Sequence, residues 1–286
     1  MNAPALVVLA DDLGPRGRRR VALATALSVV ALAFIVYAAV GRLRSTGQLD
    51  AARWQPLTEG PVLRFLLTGL LNTLKAALTA MALALALGLV LALGRMSRNW
   101  VTRNLAGAQV EFFRGFPLLL LILFAGFGLP RYGIRWGPFW FLVAALVAYN
   151  SAILAEIFRA GILSLDRGQR EAASAIGMSY WQSMMSVQVP QAIRRMVPSI
   201  VAQLVTLLKD TSLGFVITYE ELLRYGRQTG EFFRNPLQTL VVVALMYMIV
   251  NFSLGRVAAW LESRQRRRPR AAAEAVAPPE RMVEPI

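Results

Sequence analysis

Four consecutive residues that can bind a polar solute lie inside a long apolar run: Lys209, Asp210, Thr211 and Ser212. An ionisable side chain in a membrane-spanning helix is costly unless it is paired or hydrated, so such residues are functional candidates. Neighbouring residues on a helix point about 100° apart, which makes Lys209 and Asp210 a poor ion pair with each other. A zwitterionic solute would offer one charge to each residue. The alternative is that each charge pairs with another helix and serves packing.

Three further polar residues interrupt apolar runs elsewhere in the chain. Asn72 lies in one run, and Tyr149 with Asn150 lies in another. These residues are candidates for the lining of a substrate passage. Hydrogen bonding between helices explains them equally well.

The chain lacks the residues that most catalytic and metal sites use. It has no histidine and no cysteine, which removes the commonest general base, the commonest metal ligand and any disulfide. Its only lysines, Lys75 and Lys209, are followed by alanine and aspartate, so the P-loop sequence G-x-x-x-x-G-K-[ST] is absent. We therefore expect no catalytic residue, metal or cofactor in this chain. Energy for any transport must come from a partner protein or an ion gradient.

Composition indicates a membrane protein. The 286 residues are 56% hydrophobic, and the apolar residues form uninterrupted runs, unlike the scattered pattern of a soluble core. The net charge of +15 would suit a nucleic-acid partner, but the arginines cluster beside the apolar runs. Membrane topology explains that clustering better, and we expect no nucleic-acid binding.

Apolar runs long enough to cross a bilayer, which takes about 20 residues of helix, predict six transmembrane helices and an all-α membrane fold. The runs are Val21 to Val40, Phe65 to Gly94, Leu105 to Leu129, Phe139 to Ile157, Met196 to Thr218 and Leu237 to Trp260. A cleaved signal peptide is the alternative for the first run. That run is long for the apolar part of a signal peptide and no convincing small-residue cleavage site follows it, so we expect an uncleaved helix.

The distribution of arginine predicts the orientation and the segments of the chain. Arginines are more numerous in the segments that are cytoplasmic if the N-terminus is cytoplasmic, which places both termini inside. We expect a cytoplasmic segment over 1–20, an anchor helix over 21–40 and a five-helix domain over 61–262. The remaining segment, 263–286, lacks apolar periodicity and is predicted to be disordered. Its arginines would contact anionic membrane lipid.

The loop between the fourth and fifth spans, about 168–192, carries a distinctive pattern. Glu171-Ala172-Ala173 and Gly177 are expected on a short helix, where small side chains let another surface approach the backbone. Pro190 is expected to end that helix. The apolar anchors of the loop are Met178, Trp181, Met184 and Met185. From the residues alone, an amphipathic helix on the membrane surface is an equally good interpretation.

This loop resembles the EAA loop of ATP-binding-cassette importer permeases. That pattern has Glu-Ala-Ala, three residues, Gly, nine residues and Ile-x-Leu-Pro, and here valine replaces both the isoleucine and the leucine. Further similarity to the polar amino-acid permeases extends from Phe65 to Trp260. Its motifs are Gly69-x-x-Asn72-Thr73-Leu74, Arg114-Gly115-Phe116-Pro117, Ala155 to Ile162, Gly168 to Ala173 and Lys209 to Leu213. With the added first helix and Asn251 to Leu254, the chain looks most like the glutamate-uptake permeases of actinobacteria.

The resemblance implies an inner-membrane permease for polar amino acids, with five core helices, one added N-terminal helix and alternating access driven by a separate ATPase. A dimer of ATPase subunits would hold the ATP and magnesium. A second permease subunit, identical or not, and an extracytoplasmic amino-acid-binding protein would complete the system. The loop would form a coupling helix in a groove of the ATPase, and the Lys209 motif would lie near the substrate passage. An ion-coupled secondary transporter and a membrane scaffold are the alternatives, and copurification with an ATPase distinguishes them.

Overall fold

The computed structural model describes residues 14–276 of the chain, without the side chains of 167, 170, 261, 262 and 264–276. The described residues are helices joined by turns, and they divide into two units at Gln55. The α-helices are α1 (Pro15–Ser45), α2 (Ala51–Trp54), α3 (Gly60–Arg95), α4 (Trp100–Gly115), α5 (Leu118–Leu123), α6 (Pro138–Leu163), α7 (Arg167–Ala175), α8 (Tyr180–Ser183), α9 (Val189–Asp210), α10 (Leu222–Phe232) and α11 (Pro236–Val276).

The first unit consists of α1 and α2. Helix α1 contains the predicted first span and extends beyond it at both ends. Pro15 suits the first turn, where a backbone N–H would lack a helical partner in any case. Arg42 and Arg44 lie in the last turn, where cations interact favourably with the helix dipole. Residues 1–13 of the predicted N-terminal segment lie outside the described residues.

The second unit is built around the contact between α3 and α6. Small residues recur every fourth position along one face of α3 and are buried there: Ala76, Ala80, Ala84, Gly88 and Ala92. A Cβ placed on Gly88 would lie 2.9 Å from the Cβ of Leu154 on α6, so the two backbones approach closely. Close approach through small residues is the usual way in which helices pack in membranes, because burial of apolar area gains little in lipid.

The predicted third span, Leu105 to Leu129, is not one continuous helix. The segment forms two helical pieces, Trp100–Gly115 and Leu118–Tyr132, which meet at an angle of 100°. The break lies at Phe116, which has an extended conformation (φ −88°, ψ 133°). A residue that precedes proline is disfavoured in the helical region, and Pro117 therefore forces the break.

The last two spans differ from the predicted boundaries. The fifth begins earlier than Met196, because α8, a π-turn, α9 and a 3₁₀ turn form one continuous helical segment over Tyr180–Ile217. Helix α11 continues to Val276, beyond the predicted end of the last span, while disorder of the 263–286 tail stays a prediction. This segment is rich in alanine, arginine and glutamate, which favour helix, and 277–286 lie outside the described residues. Within the described part, five helices are long and apolar enough to span a membrane, or six if the bent pair counts as one.

Candidate functional site

The polar motif at the end of α9 lies where the helix changes type. Lys209 and Asp210 form the last turn of α9, and a 3₁₀ helix continues from Thr211 to Ile217. A 3₁₀ stretch within a longer helix commonly marks a hinge or local strain. The hydroxyls of Thr211 and Ser212 donate to the carbonyls of Leu208 (2.6 Å) and Lys209 (2.7 Å).

Thr218, which ends the 3₁₀ helix, has a strained backbone. Its φ of +62° lies in the left-handed region, where a β-branched residue is an outlier. Such a conformation persists only when the surrounding structure holds it in place.

The surrounding structure does hold it, because the loop after Thr218 is bonded to α3. The Tyr219 hydroxyl donates to the carbonyl of Asn72 (2.8 Å), and the Asn72 side chain donates to the carbonyl of Glu220 (2.9 Å). The backbone N–H of Leu222 donates to the Thr73 hydroxyl (3.1 Å). Burial raises the pKa of Tyr219 to about 12, so its hydroxyl remains a donor.

The glycine of the Gly69-x-x-Asn72-Thr73 motif makes this attachment possible. A Cβ on Gly69 would lie only 3.0 Å from the Cα of Leu222, so a larger residue would push α10 away from α3. The structure thus explains the whole motif as the anchor of the 218–222 loop.

Glu221 is buried at the start of α10 and was not anticipated from the sequence. Its carboxylate accepts from the backbone N–H groups of Leu223 and Arg224, both at 2.7 Å, and from the Tyr247 hydroxyl at 2.8 Å. Burial raises the pKa of Glu221 above its ordinary value, and these donors and the nearby Arg224 charge offset only part of that shift. The carboxylate therefore caps α10 and ties it to α11. A glutamate just before a helical run was the available signal, but the pairing with Tyr247 is not visible in the sequence.

A cavity of about 470 Å³ lies beside this loop. It is lined by Asn72, Lys75, Gly137, Pro138, Phe139, Thr218, Tyr219 and Glu220. Three parts of the chain therefore meet here: the middle of α3, the start of α6 and the loop before α10. Lys75 and Glu220 are the two charged residues of the lining.

The predicted substrate residues are only partly brought together. Asn72 lines the cavity, whereas residues 209–212 do not. Asn150 is buried and bonded at both ends of its amide, because it donates to the carbonyl of Leu146 and accepts from Gln203 on α9 (2.7 Å). The bond to Gln203 favours the interhelical explanation for Asn150. Tyr149 is half-buried on α6, Lys209 is exposed and Asp210 is half-buried.

Charged residues at one end of α3, α4 and α6 form a second polar cluster. Glu156 bonds to Arg95 and lies 3.0 Å from Arg159 and 3.4 Å from Arg114. Glu111 lies 3.5 Å from Arg95. The cluster joins three helices beside the break at Phe116. It contains no metal site, since the described residues include no group of three or more potential ligand side chains of the His, Cys, Asp and Glu types.

The loop that resembles an EAA loop forms α7, a turn and α8. Helix α7 carries Glu171, Ala172 and Ala173 but ends at Ala175. Gly177 therefore lies beyond the helix, whereas the sequence predicted it on the helix. Gly177 has φ +79°. Its N–H donates to Ser174, and the N–H of Met178 donates to Ala173. These two bonds form a Schellman motif, which favours glycine at this position.

Side chains of this loop point in two directions. Ala173 (4% exposed) and Met184 (1% exposed) are buried against the rest of this chain, so their side chains are not presented to a partner. Trp181 and Ile176 are 47% and 79% exposed. The side chains available to a partner are those of Glu171, Ala172, Ile176, Trp181 and Met185, with Met178 half-buried.

Pro190 does not end the helix, which corrects the expectation. It is the second residue of α9 and directly follows the π-turn Met184–Gln188, inside the continuous helical segment Tyr180–Ile217. The loop is held to the end of α3 by Tyr180, whose hydroxyl donates to the carbonyl of Met96 (2.8 Å). The guanidinium of Arg98 lies 5.1 Å from the centre of the same ring. Movement of α7 and α8 would therefore be transmitted to α3.

Residues 84–267 match the sequence model of a protein family described as "Binding-protein-dependent transport system inner membrane component". The match includes α6 to α10 and the loop that resembles an EAA loop.

Individual relatives extend the similarity over more of the chain. The glutamate transport system permease protein GluD of Corynebacterium glutamicum is 41% identical over 82% of this chain and 87% of its own length. The probable glutamine ABC transporter permease protein GlnP of Bacillus subtilis is 41% identical over 71% of this chain and 94% of its own length. Among solved structures, an amino acid ABC transporter with histidines matches with a TM-score of 0.66 and 30% identity, over 71% of this chain and 94% of that one.

Proposed function

Because the chain belongs to the family of inner-membrane components of binding-protein-dependent transport systems, it is the permease subunit of an ATP-binding-cassette importer, and we propose that it imports glutamate or a related polar amino acid. The observation that carries the proposal is the 41% identity, over 82% of the chain, with a glutamate transport permease. The glutamine-type relative and the amino acid transporter structure support an amino-acid substrate in the same way.

The chain is a passive translocation subunit whose energy comes from a partner. Its sequence contains no P-loop, so ATP and magnesium are bound by a separate dimer of ATPase subunits. A second permease subunit completes the membrane channel, and an extracytoplasmic binding protein delivers the amino acid. Both termini are cytoplasmic, as the arginine distribution indicates.

Coupling to the ATPase occurs through α7 and α8. The outward face of this segment presents the acid Glu171, the small Ala172 and the apolar Ile176, Trp181 and Met185. Exposed aromatic and aliphatic side chains of this kind are typical anchors of a protein interface. The bond from Tyr180 to the end of α3 carries the displacement into the bundle.

Substrate contacts are proposed at the change of helix type after α9. Lys209 and Asp210 have no ion-pair partner within 4.0 Å among the described residues. Each charge is therefore available to a zwitterion. Ser212 is half-buried close by in the chain, whereas the Thr211 side chain is fully buried and bonded to Leu208, which suits it to holding the helix and not to contacting the solute. Tyr149, half-buried on α6, stays a candidate for the substrate passage. Asn72 lines the separate cavity beside the 218–222 loop, and Asn150 positions α6 against α9.

The test is uptake by the assembled transporter. The chain is purified with the ATPase and permease subunits that accompany it from native membranes, reconstituted into liposomes, and supplied with ATP inside and binding protein outside. We expect uptake of labelled glutamate or another polar amino acid that requires ATP and survives collapse of ion gradients. Uptake that is abolished by ionophores and independent of ATP would refute the proposal in favour of a secondary transporter. Absence of any copurifying ATPase would favour a scaffold.

A further inference from the structure

The cavity beside the 218–222 loop contains an unpaired cation. Lys75 lies in the middle of α3, inside a helix that is apolar enough to span the membrane. Its ammonium has no ion pair or hydrogen bond within the described part of the chain. A lysine at this position is costly unless a counter-charge or water meets it, and its side chain lines the cavity. The cavity is therefore suited to an anionic group.

The same cavity contains one acid. The Glu220 carboxylate accepts only a long bond from the Tyr225 hydroxyl (3.4 Å) and forms no ion pair within 4.0 Å among the described residues. The rest of the lining consists of neutral residues, including the aromatic rings of Phe139 and Tyr219, whose centres are 5.9 Å apart. One cation, one anion and an aromatic wall match the groups of a zwitterionic amino acid.

The backbone that carries the acid is held in a defined position. Glu220 follows the strained Thr218, and its carbonyl accepts from Asn72 on the helix that carries Lys75. The bond from Tyr219 to Asn72 fixes the loop a second time. Strain that is maintained by such bonds is typical of functional sites, where it preorganises ligand contacts.

We propose that this cavity is an amino-acid subsite, separate from the Lys209–Asp210 position, in which Lys75 binds the α-carboxylate and Glu220 binds the α-ammonium group. The proposal rests on the function proposed above only for the identity of the solute. Both charged residues bind groups that all α-amino acids have. The subsite therefore recognises α-amino acids in general, and other contacts distinguish one solute side chain from another. Loss of either charged contact should weaken binding about ten- to a hundredfold.

Direct binding tests the subsite without transport. Labelled L-glutamate and L-glutamine are titrated against the detergent-purified permease–ATPase complex, with the binding protein omitted. We expect the Lys75→Met and Glu220→Gln variants to lose affinity for both amino acids, and Lys75→Arg to restore most of it. In the wild type, unlabelled 2-oxoglutarate, which lacks the ammonium group, should compete poorly. The Glu220→Gln variant should show a smaller difference in affinity between glutamate and 2-oxoglutarate, because the contact with the ammonium group is then lost.

Two matched controls separate the charges from general disturbance. Leu78→Met places methionine on the next turn of α3, at another exposed position, and Glu59→Gln removes an exposed acid before α3. Both should bind like the wild type. In a Lys209→Met background, the component of binding that depends on Lys75 should persist.

Unchanged affinity in Lys75→Met and Glu220→Gln, in complexes that elute like the wild type, would overturn the subsite. So would loss of the Lys75-dependent component in the Lys209→Met background, since a single shared site would then be present. If binding depends on Lys75 but the wild-type complex shows no ATP-driven uptake, the subsite stands and the proposed import function fails.

Discussion

Gly177 allows two explanations of the loop pattern to be separated by experiment. If glycine is present so that the ATPase can approach the backbone, the loss of ATPase coupling should increase with side-chain volume. Alanine should then cause the smallest loss, asparagine a larger one and valine the largest. The structure indicates another reason, because Gly177 has φ +79° and no heavy atom lies within 4 Å of a Cβ placed there. Within this chain the constraint is the backbone conformation.

The magnitude follows from that conformation. A residue with a Cβ pays about 1–2 kcal/mol to adopt the left-handed region, which lowers the population of the native turn about 5- to 30-fold. Asparagine enters this region several times more readily than other residues, and β-branched residues enter it least. The expected order of damage is therefore asparagine least, then alanine, then valine.

The measurement is ATP hydrolysis and ATPase copurification per assembled complex for Gly177→Asn, Gly177→Ala and Gly177→Val. Membrane levels should equal those of the wild type, because the turn lies outside the spans. Activity in the order wild type, Asn, Ala, Val would confirm the conformational explanation. If Gly177→Ala retains more activity than Gly177→Asn, the backbone reasoning is refuted and contact with the partner governs the position. If all three variants stimulate ATP hydrolysis as the wild type does, the loop does not couple to the ATPase.

Further outcomes are expected from the topology, the polar motif and the charge cluster. Reporters fused after Arg270 and near Asp50 should lie on opposite sides of the membrane, and two cytoplasmic signals would show that the first span is misassigned. Lys209→Met should reduce uptake per assembled complex while membrane levels and ATPase binding persist; near-normal uptake per complex would remove this residue from the substrate site. Glu156→Gln should lower the melting temperature of the purified complex, because it leaves arginines on three helices without their shared acid, at a cost of about 1–3 kcal/mol. The Glu111 side chain is 64% exposed, so Glu111→Gln should lower the melting temperature less. Equal decreases in melting temperature would argue that the cluster is not centred on Glu156.

The membrane character of the chain could be predicted because hydrophobic length is a local property. A run such as Phe65 to Gly94 needs no partner to identify it as a span. The break of the third span was also encoded locally, in Pro117, but apolar composition outweighed the proline in the prediction. The extension of α11 beyond 263 was missed because charged helix formers resemble a disordered tail in composition.

In the loop that resembles an EAA loop, the sequence shows the spacing of the pattern but not the direction in which each side chain points. Spacing identified Glu171 and Gly177, but the direction of each side chain depends on how α7 packs. Ala173 faces inward, and the constraint on Gly177 is the turn that ends the helix.

Sequence alone determined the class of protein, the approximate spans and the family pattern, because these depend on composition and on residues close together in the chain. Tertiary structure decided which polar residues share a cavity. Lys75 and Glu220 are far apart in sequence, and they line one cavity only because Gly69 lets α10 approach α3 while Asn72 and Thr73 bond to the loop. Contacts of this kind arise from helix packing, which no single segment specifies.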